Sequence, residues 1–186
     1  MNRFFLLLLG TVLLLSVQTL TFAEGKPPLR ATAEIISCST SEPIGKAILT
    51  ERESEEGVKL VDVTVIAENL PEGKHGVHIH EVADCTPCGD AGGHFDPGPA
   101  SNPSPDGNHP FHSGDLVNLE VNGKGEGVMH TTTSRITLTS GPLSIFDTNG
   151  SAIVIHTNPD TYCPVTGQAG CAGGSRAACG IIQLAD

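Results

Sequence analysis

Basic residues are scarce in this chain: 10 lysines and arginines stand against 21 aspartates and glutamates. Nucleic acid and anionic membrane surfaces are bound through basic patches, so neither is an expected partner. Beyond the N-terminus no segment has the length and apolarity of a membrane span. There is no amphipathic helical pattern, no internal repeat and no low-complexity tract. Only one Cys-x-x-Cys occurs, Cys85-Thr86-Pro87-Cys88. Without a second pair at finger-like spacing, a zinc-thiolate site ranks behind disulfides.

What is present begins with a secretory signature. Arg3 supplies a positive start, residues 4–15 are almost wholly apolar, and Thr21-Phe22-Ala23 offers a small-residue cleavage site, so residues 1–23 read as a signal peptide. The apolar core is shorter than the roughly 20 residues of a spanning helix. Residues 24–186 then form one domain of ordinary size, with 9 basic against 21 acidic residues and a net charge of −12. Six cysteines, Cys38, Cys85, Cys88, Cys163, Cys171 and Cys179, survive signal removal. An even count in an exported chain predicts disulfides, with the pairing left open.

Short β-prone runs recur at 31–37, 46–50, 58–68, 76–82, 116–121, 127–133, 151–157 and 179–184. Leu60-Val61-Asp62-Val63-Thr64-Val65 alternates apolar with polar, the pattern of a half-buried strand. About eight strands in one domain predict an all-β sandwich or barrel. Two Gly- and Pro-rich stretches, 84–114 and 158–175, interrupt the rhythm, and loops of that length in a compact domain are usually functional or disordered. Their cysteines and neighbouring histidines favour functional loops.

The histidines suggest metal. A strand throws residues i and i+2 to one side, so His78 and His80 aim at one point. His94 and His156 follow at a distance, and imidazole suits copper and zinc.

Five blocks sharpen this reading: Gly76-Val77-His78-Ile79-His80-Glu81, Gly93-His94-Phe95-Asp96-Pro97, His112-Ser113-Gly114-Asp115-Leu116, Val154-Ile155-His156 and Gly174-Ser175-Arg176-Ala177-Ala178-Cys179-Gly180. In order and spacing they resemble the copper/zinc superoxide dismutases, from about residue 31 to the C-terminus. The resemblance implies an eight-stranded Greek-key β-barrel or sandwich with two long functional loops. It implies copper held by His78, His80, His94 and His156, with His94 bridging to zinc, and zinc held by His94, His112 and Asp115. The family's fourth zinc ligand, eight residues after the bridging histidine, falls here on Asn102. Three alternatives stay open: zinc with a weaker fourth ligand, zinc with His109 as the replacement, or a copper-only site.

The resemblance further assigns Asp160 to an outer-shell bridge between a copper-ligand and a zinc-ligand histidine, and Arg176 to guiding the substrate anion. It pairs Cys179 with Cys88 or Cys85. Cys163 and Cys171, eight apart, are placed to staple the second loop, which leaves Cys38 as a buried thiol. His75 and His130 are set outside the metal group, His130 as solvent-facing.

The implied activity is disproportionation of superoxide to oxygen and hydrogen peroxide, with Cu(II)/Cu(I) cycling at the four-histidine site and His94 carrying a proton. The rival is a dismutase-like module that binds or delivers copper with little turnover. The arginine speaks for the enzyme, since a copper holder has no use for it. No lysine or arginine occurs between Asp147 and Ser175, so steering of superoxide is expected to rest on the metals and Arg176. The expected compartment is periplasmic or extracellular, and a homodimer is the expected assembly to test.

Overall fold

Alternation of side chains along strands builds the wall of this molecule. In the computed structural model, which describes residues 27–98, 109–164 and 168–185, β1 (Arg30–Ser37) turns Ala31, Ala33 and Ile35 inward. β3 (Lys59–Ala67) does the same with Val61, Val63, Val65 and Ala67. The other strands are β2 (Pro43–Glu53), β4 (Gly73–His75), β5 (Val77–His80), β6 (Leu119–Val121), β7 (Gly127–Thr133), β8 (Ala152–His156), β9 (Arg176–Ile181) and β10 (Gln183–Leu184). The expected signal segment 1–23 and Asn102 lie outside the described residues.

Nine strands hydrogen-bond in the order β4-β6-β7-β3-β2-β1-β9-β8-β5, and β10 adds to β1. Every pairing is antiparallel. The two end strands, β4 and β5, are consecutive in the chain, so the sheet curls into a nearly closed barrel. The step from β3 to β4 passes over β7 and β6, a Greek-key crossing. Secondary structure other than strand is limited to one short 3-10 turn, Cys88–Ala91, among the described residues. No helix among them is long and apolar enough to cross a membrane.

The all-β barrel with two long loops agrees with expectation; the strand count does not. Ten strands replace eight: β4 lies ahead of the expected run 76–82, in a stretch not expected to be strand, and the expected run 179–184 changes partner midway. At Gly76 the chain leaves β6 for β8: Gly76 N donates to Asn158 O at 2.9 Å and its carbonyl accepts from His156 N at 2.8 Å. At Ile182, N–H donation to Ser151 O and burial of the side chain separate β9 from β10.

The barrel interior is filled by aliphatic side chains, including Leu49, Ile79, Leu119, Ile136, Ile145, Ile153 and Ile155. β5 and β8 are buried along their whole length. Val77 and Ile79 join the barrel core while His78 and His80, on the opposite face, are covered by the long loops. Thus the face that would meet water on an ordinary wall is closed over at β5 and β8.

One carboxylate interrupts the interior. Glu51 on β2 is only 4% exposed and accepts from Leu138 N at 2.6 Å, Thr139 N at 2.9 Å and Thr139 Oγ1. Burial pushes its pKa up, but the hydrogen bonds from Thr139 and Leu138 outweigh that and hold it below the ordinary value. A depressed carboxyl stabilises the fold above its unfolded pKa and loses that contribution as pH falls through the folded value. Glu51→Ala strands these donors without their acceptor. It is expected to lower unfolding stability by about 2 kcal/mol at neutral pH, with the deficit shrinking toward acid, as read by denaturant titration across pH.

Candidate metal centre

Strand alternation delivers His78 and His80 to one face of β5, and β8 pairs beside them with His156 at its end. His94 comes from the first long loop, whose residues 93–95 run antiparallel along β5. Phe95 N donates to Ile79 O at 2.9 Å, Glu81 N to Gly93 O at 3.0 Å, and His80 bridges His94 through the backbone. The far end of the loop is pinned by Gly114, whose N–H reaches Phe95 O and whose carbonyl accepts from Ile79 N, both at 2.8 Å. A Cβ at Gly114 would sit 2.2 Å from Ile79 O, so only glycine allows this approach.

Each of the four rings is held by one nitrogen. His78 Nε2 donates to Asp160 Oδ2 at 2.9 Å, His80 Nδ1 to Gly92 O at 3.0 Å, His94 Nδ1 to Asp115 Oδ1 at 2.7 Å and His156 Nδ1 to Gly174 O at 2.9 Å. The opposite nitrogens, His78 Nδ1, His80 Nε2, His94 Nε2 and His156 Nε2, are buried without a hydrogen-bond partner. Buried polar atoms are rarely left so. One ligand atom from each ring lies within 4.8 Å of those of the other three. Atoms across a centre with metal–nitrogen bonds of about 2.0–2.1 Å are about 4 Å apart, so the cluster fits one metal ion.

Electrostatics point the same way. Burial lowers the pKa of His78 to about 3 and that of His156 to about 4, against hydrogen bonds that raise them. Burial also lowers His80 and His94. All four rings are therefore neutral at ordinary pH, the form a metal requires.

Beside this cluster, Asp115 gathers three imidazoles, His94 among them. His94 Nδ1 lies 2.7 Å from Oδ1, while His109 Nδ1 and His112 Nδ1 each lie 3.1 Å from Oδ2. Nδ1 of His109 is off the line of a hydrogen bond, and its Nε2 faces Asp160 at 2.7 and 2.8 Å. Donor atoms of His78, His94, His109 and Asp115 also fall within 4.8 Å of one another. Three imidazoles around one carboxylate are a donor set suited to zinc.

The two acids respond accordingly. Burial would raise Asp115, but the His109 ring beside it and hydrogen bonds from His112 and His94 hold it well below the carboxylate range. Asp160 is likewise depressed against its burial by His109 and His78. For His109, burial lowers the pKa, yet the Asp115 carboxylate beside it and the hydrogen bond to Asp160 push it up to about 9.

Several residues that hold the centre carry no local sequence signal. Arg135 donates Nη1 to Pro110 O at 3.1 Å and to His112 O at 2.9 Å, and Nη2 to Asp115 O, closing the loop around the acidic side. Asn118 grips the Asp160 backbone both ways: its amide donates to Asp160 O at 2.9 Å and its Oδ1 accepts from Asp160 N at 2.8 Å. Tyr162 N donates to Asp160 Oδ1 at 2.6 Å, and its ring stacks on His109. The sole cue was proximity of Asn118 and Tyr162 to assigned residues in the chain.

Arg176 lies across from His156 in the β8–β9 pairing. Its positive charge is close enough to depress His80 and His156. It donates to Cys88 O, to Gly89 O at 2.9 Å and to Gly92 O, sharing the last acceptor with His80. Three disulfides form: Cys85–Cys179, Cys163–Cys171 and Cys38–Cys88. The third corrects the expectation of a free thiol at Cys38. The end of β1 lies beside the turn carrying Cys88, a proximity that a separation of 50 residues conceals. His75 is buried with ring nitrogens 2.8 Å from His156 O and 2.9 Å from Pro71 O, and exposed His130 pairs with Thr64 Oγ1 at 2.9 Å. Both lie outside the metal groups.

The chain is similar to known proteins over most of its length. Residues 44–182 match the family model of copper/zinc superoxide dismutase. A superoxide dismutase [Cu-Zn] of Legionella pneumophila is 36% identical over 186 residues, covering 98% of this chain and all of that protein. Superoxide dismutase [Cu-Zn] 2 of Aquifex aeolicus is 36% identical, covering 95% of this chain and 96% of that one. Among solved structures, a SOD-like protein from Bacillus subtilis superposes with a TM-score of 0.62 at 27% identity, over 80% of this chain and 95% of that chain. With both donor clusters on a barrel wall and a matching family model over most of its length, the chain belongs to the copper/zinc superoxide dismutase family.

Proposed function

We propose that this protein is an exported dismutase that converts superoxide to oxygen and hydrogen peroxide. His78, His80, His94 and His156 hold copper in this reading; His94, His109, His112 and Asp115 hold zinc. The observation that carries it is the set of four buried, neutral imidazoles with one nitrogen anchored and the other bare, with the Arg176 charge beside them. Copper supplies one-electron redox chemistry when bound. The chain supplies geometry, charge and a proton site.

The anchoring bonds fix which nitrogen of each ring faces the metal. His94 is the ring common to both clusters. Its Nε2 is the atom that can take up and return a proton while Nδ1 stays beside Asp115. Arg176 offers a permanently charged planar donor to a small anion, while the net acidic charge of the chain makes local positive potential the means of capture. Three disulfides and an extracellular superoxide dismutase [Cu-Zn] of Drosophila melanogaster at 36% identity support export. The segment 1–23 serves as the secretory signal in this proposal.

His109 takes the zinc-ligand role that Asn102 vacates, a reading supported by its double contact with Asp115 and Asp160. Three tests follow from this arrangement. Arg176→Ala is expected to cut kcat/KM for superoxide by about 10–1000-fold and to flatten its ionic-strength dependence, with copper content retained; pulse radiolysis measures both, and near-zero turnover in the wild type would instead favour a copper-binding module. His109→Ala should lose zinc affinity by more than the roughly 10–100-fold typical of an outer-shell change while copper stays bound, read by metal quantitation.

The third test concerns pH. In the metal-free protein His109 is raised to about 9 by its two carboxylates after burial is overcome. The stability it contributes is full below its unfolded pKa and is lost as pH rises through about 9. Zinc must displace that proton, so zinc affinity should climb with pH up to about 9 and then level, with proton release seen by calorimetry in buffers of different ionisation enthalpy.

A further inference from the structure

We infer that the Cys38–Cys88 disulfide is a positioning device for Arg176, fixing the guanidinium at the copper face; this rests on the anion-guiding reading of Arg176 above. Arg176 Nη1 donates to the carbonyls of Cys88 and Gly89, and Nη2 to that of Gly92. All three acceptors sit on or just after the 3-10 turn Cys88–Ala91, which has no side-chain cap at its start. At its flanks Asp90 N donates to Pro87 O at 2.9 Å and Val82 N to Ala91 O at 3.1 Å.

The turn is tied covalently at Cys88 to Cys38. Cys38 in turn donates its backbone N–H to Ala177 O at 2.9 Å, on the residue that follows Arg176. The result is a closed ring: guanidinium, Cys88 carbonyl, disulfide, Cys38 amide, Ala177 and back to Arg176. Both the head group and the main chain of the arginine are referenced to one cross-link. The Cys85–Cys179 bond packs in the same buried cluster, but Cys85 lends Arg176 no carbonyl. Cys163–Cys171 belongs to the other loop.

Without the cross-link the turn is held to β1 by noncovalent contacts alone, and the carbonyls gain freedom that the guanidinium follows. A site residue displaced by about 1 Å loses much of its effect. The cross-link therefore acts through the arginine and not only on stability.

Azide binding to the copper-loaded protein, followed by copper absorbance, tests this without turnover. In Cys38→Ser/Cys88→Ser the azide Kd is expected to rise about tenfold with copper content unchanged. Adding Arg176→Ala to that variant should give no further rise, since both changes act on one interaction. Cys163→Ser/Cys171→Ser should bind azide as the wild type does. In the metal-free protein, phenylglyoxal should modify Arg176 faster once Cys38–Cys88 is removed, as mapped by peptide mass spectrometry.

Unchanged azide affinity and unchanged arginine reactivity in the Cys38/Cys88 variant, while Arg176→Ala alone weakens azide, would overturn the inference. If Arg176→Ala binds azide normally, the anion-guiding reading itself fails and takes this one with it. Should the serine variant not fold, wild-type protein in graded dithiothreitol replaces it, with alkylation mapping the opened pair. Arg176 reactivity that rises with the open fraction of Cys38–Cys88 supports the inference; reactivity independent of it does not.

Discussion

Two carboxylates buried among six imidazoles are the interaction on which the centre depends. Asp115 is 1% and Asp160 3% exposed, and neither is tolerable as an isolated charge at that depth. Each is made stable by ring N–H groups and backbone amides, and each in return fixes which nitrogen of its rings faces the metal. Asp160 links the two donor clusters by touching His78 and His109 together. Removing either acid would free several rings at once, so the two clusters behave as a single unit.

The barrel and the loops divide the labour. β5 and β8 place three imidazoles on a rigid wall whose other face is locked into the aliphatic core. Loops carry the rest, and loops alone cannot hold rings to the accuracy that a metal demands. The chain answers with cross-links and with arginine: three disulfides staple both long loops, Arg135 gathers carbonyls on the acidic side, and Arg176 gathers them on the copper side. A guanidinium suits this use because its planar fork presents several donors at fixed angles.

The wall was legible because its information is local. Alternation at 60–65 marks β3, and His78-Ile79-His80 marks two imidazoles on one face whatever lies elsewhere. The five spaced blocks extended that reading to His94, His112, Asp115, His156 and Arg176. Strand ends were less legible. β4 stops at Gly76 and Ile182 breaks the expected run 179–184 because of hydrogen bonds to residues 156, 158 and 151, far along the chain. Arg135 and Asn118 gave no sign, since an arginine donating to carbonyls looks in sequence like any surface arginine.

The sequence by itself determined the all-β class, the histidines of the four-imidazole cluster and the even set of cysteines, because strand period and residue chemistry act over a few positions. Tertiary structure decided which of Cys85 and Cys88 meets Cys179, that Cys38 is paired, and that His109 stands against both acids. Those outcomes depend on loop closure over tens of residues, where many paths satisfy the same local pattern. Packing against the barrel wall selects one of them by bringing named atoms within bonding distance.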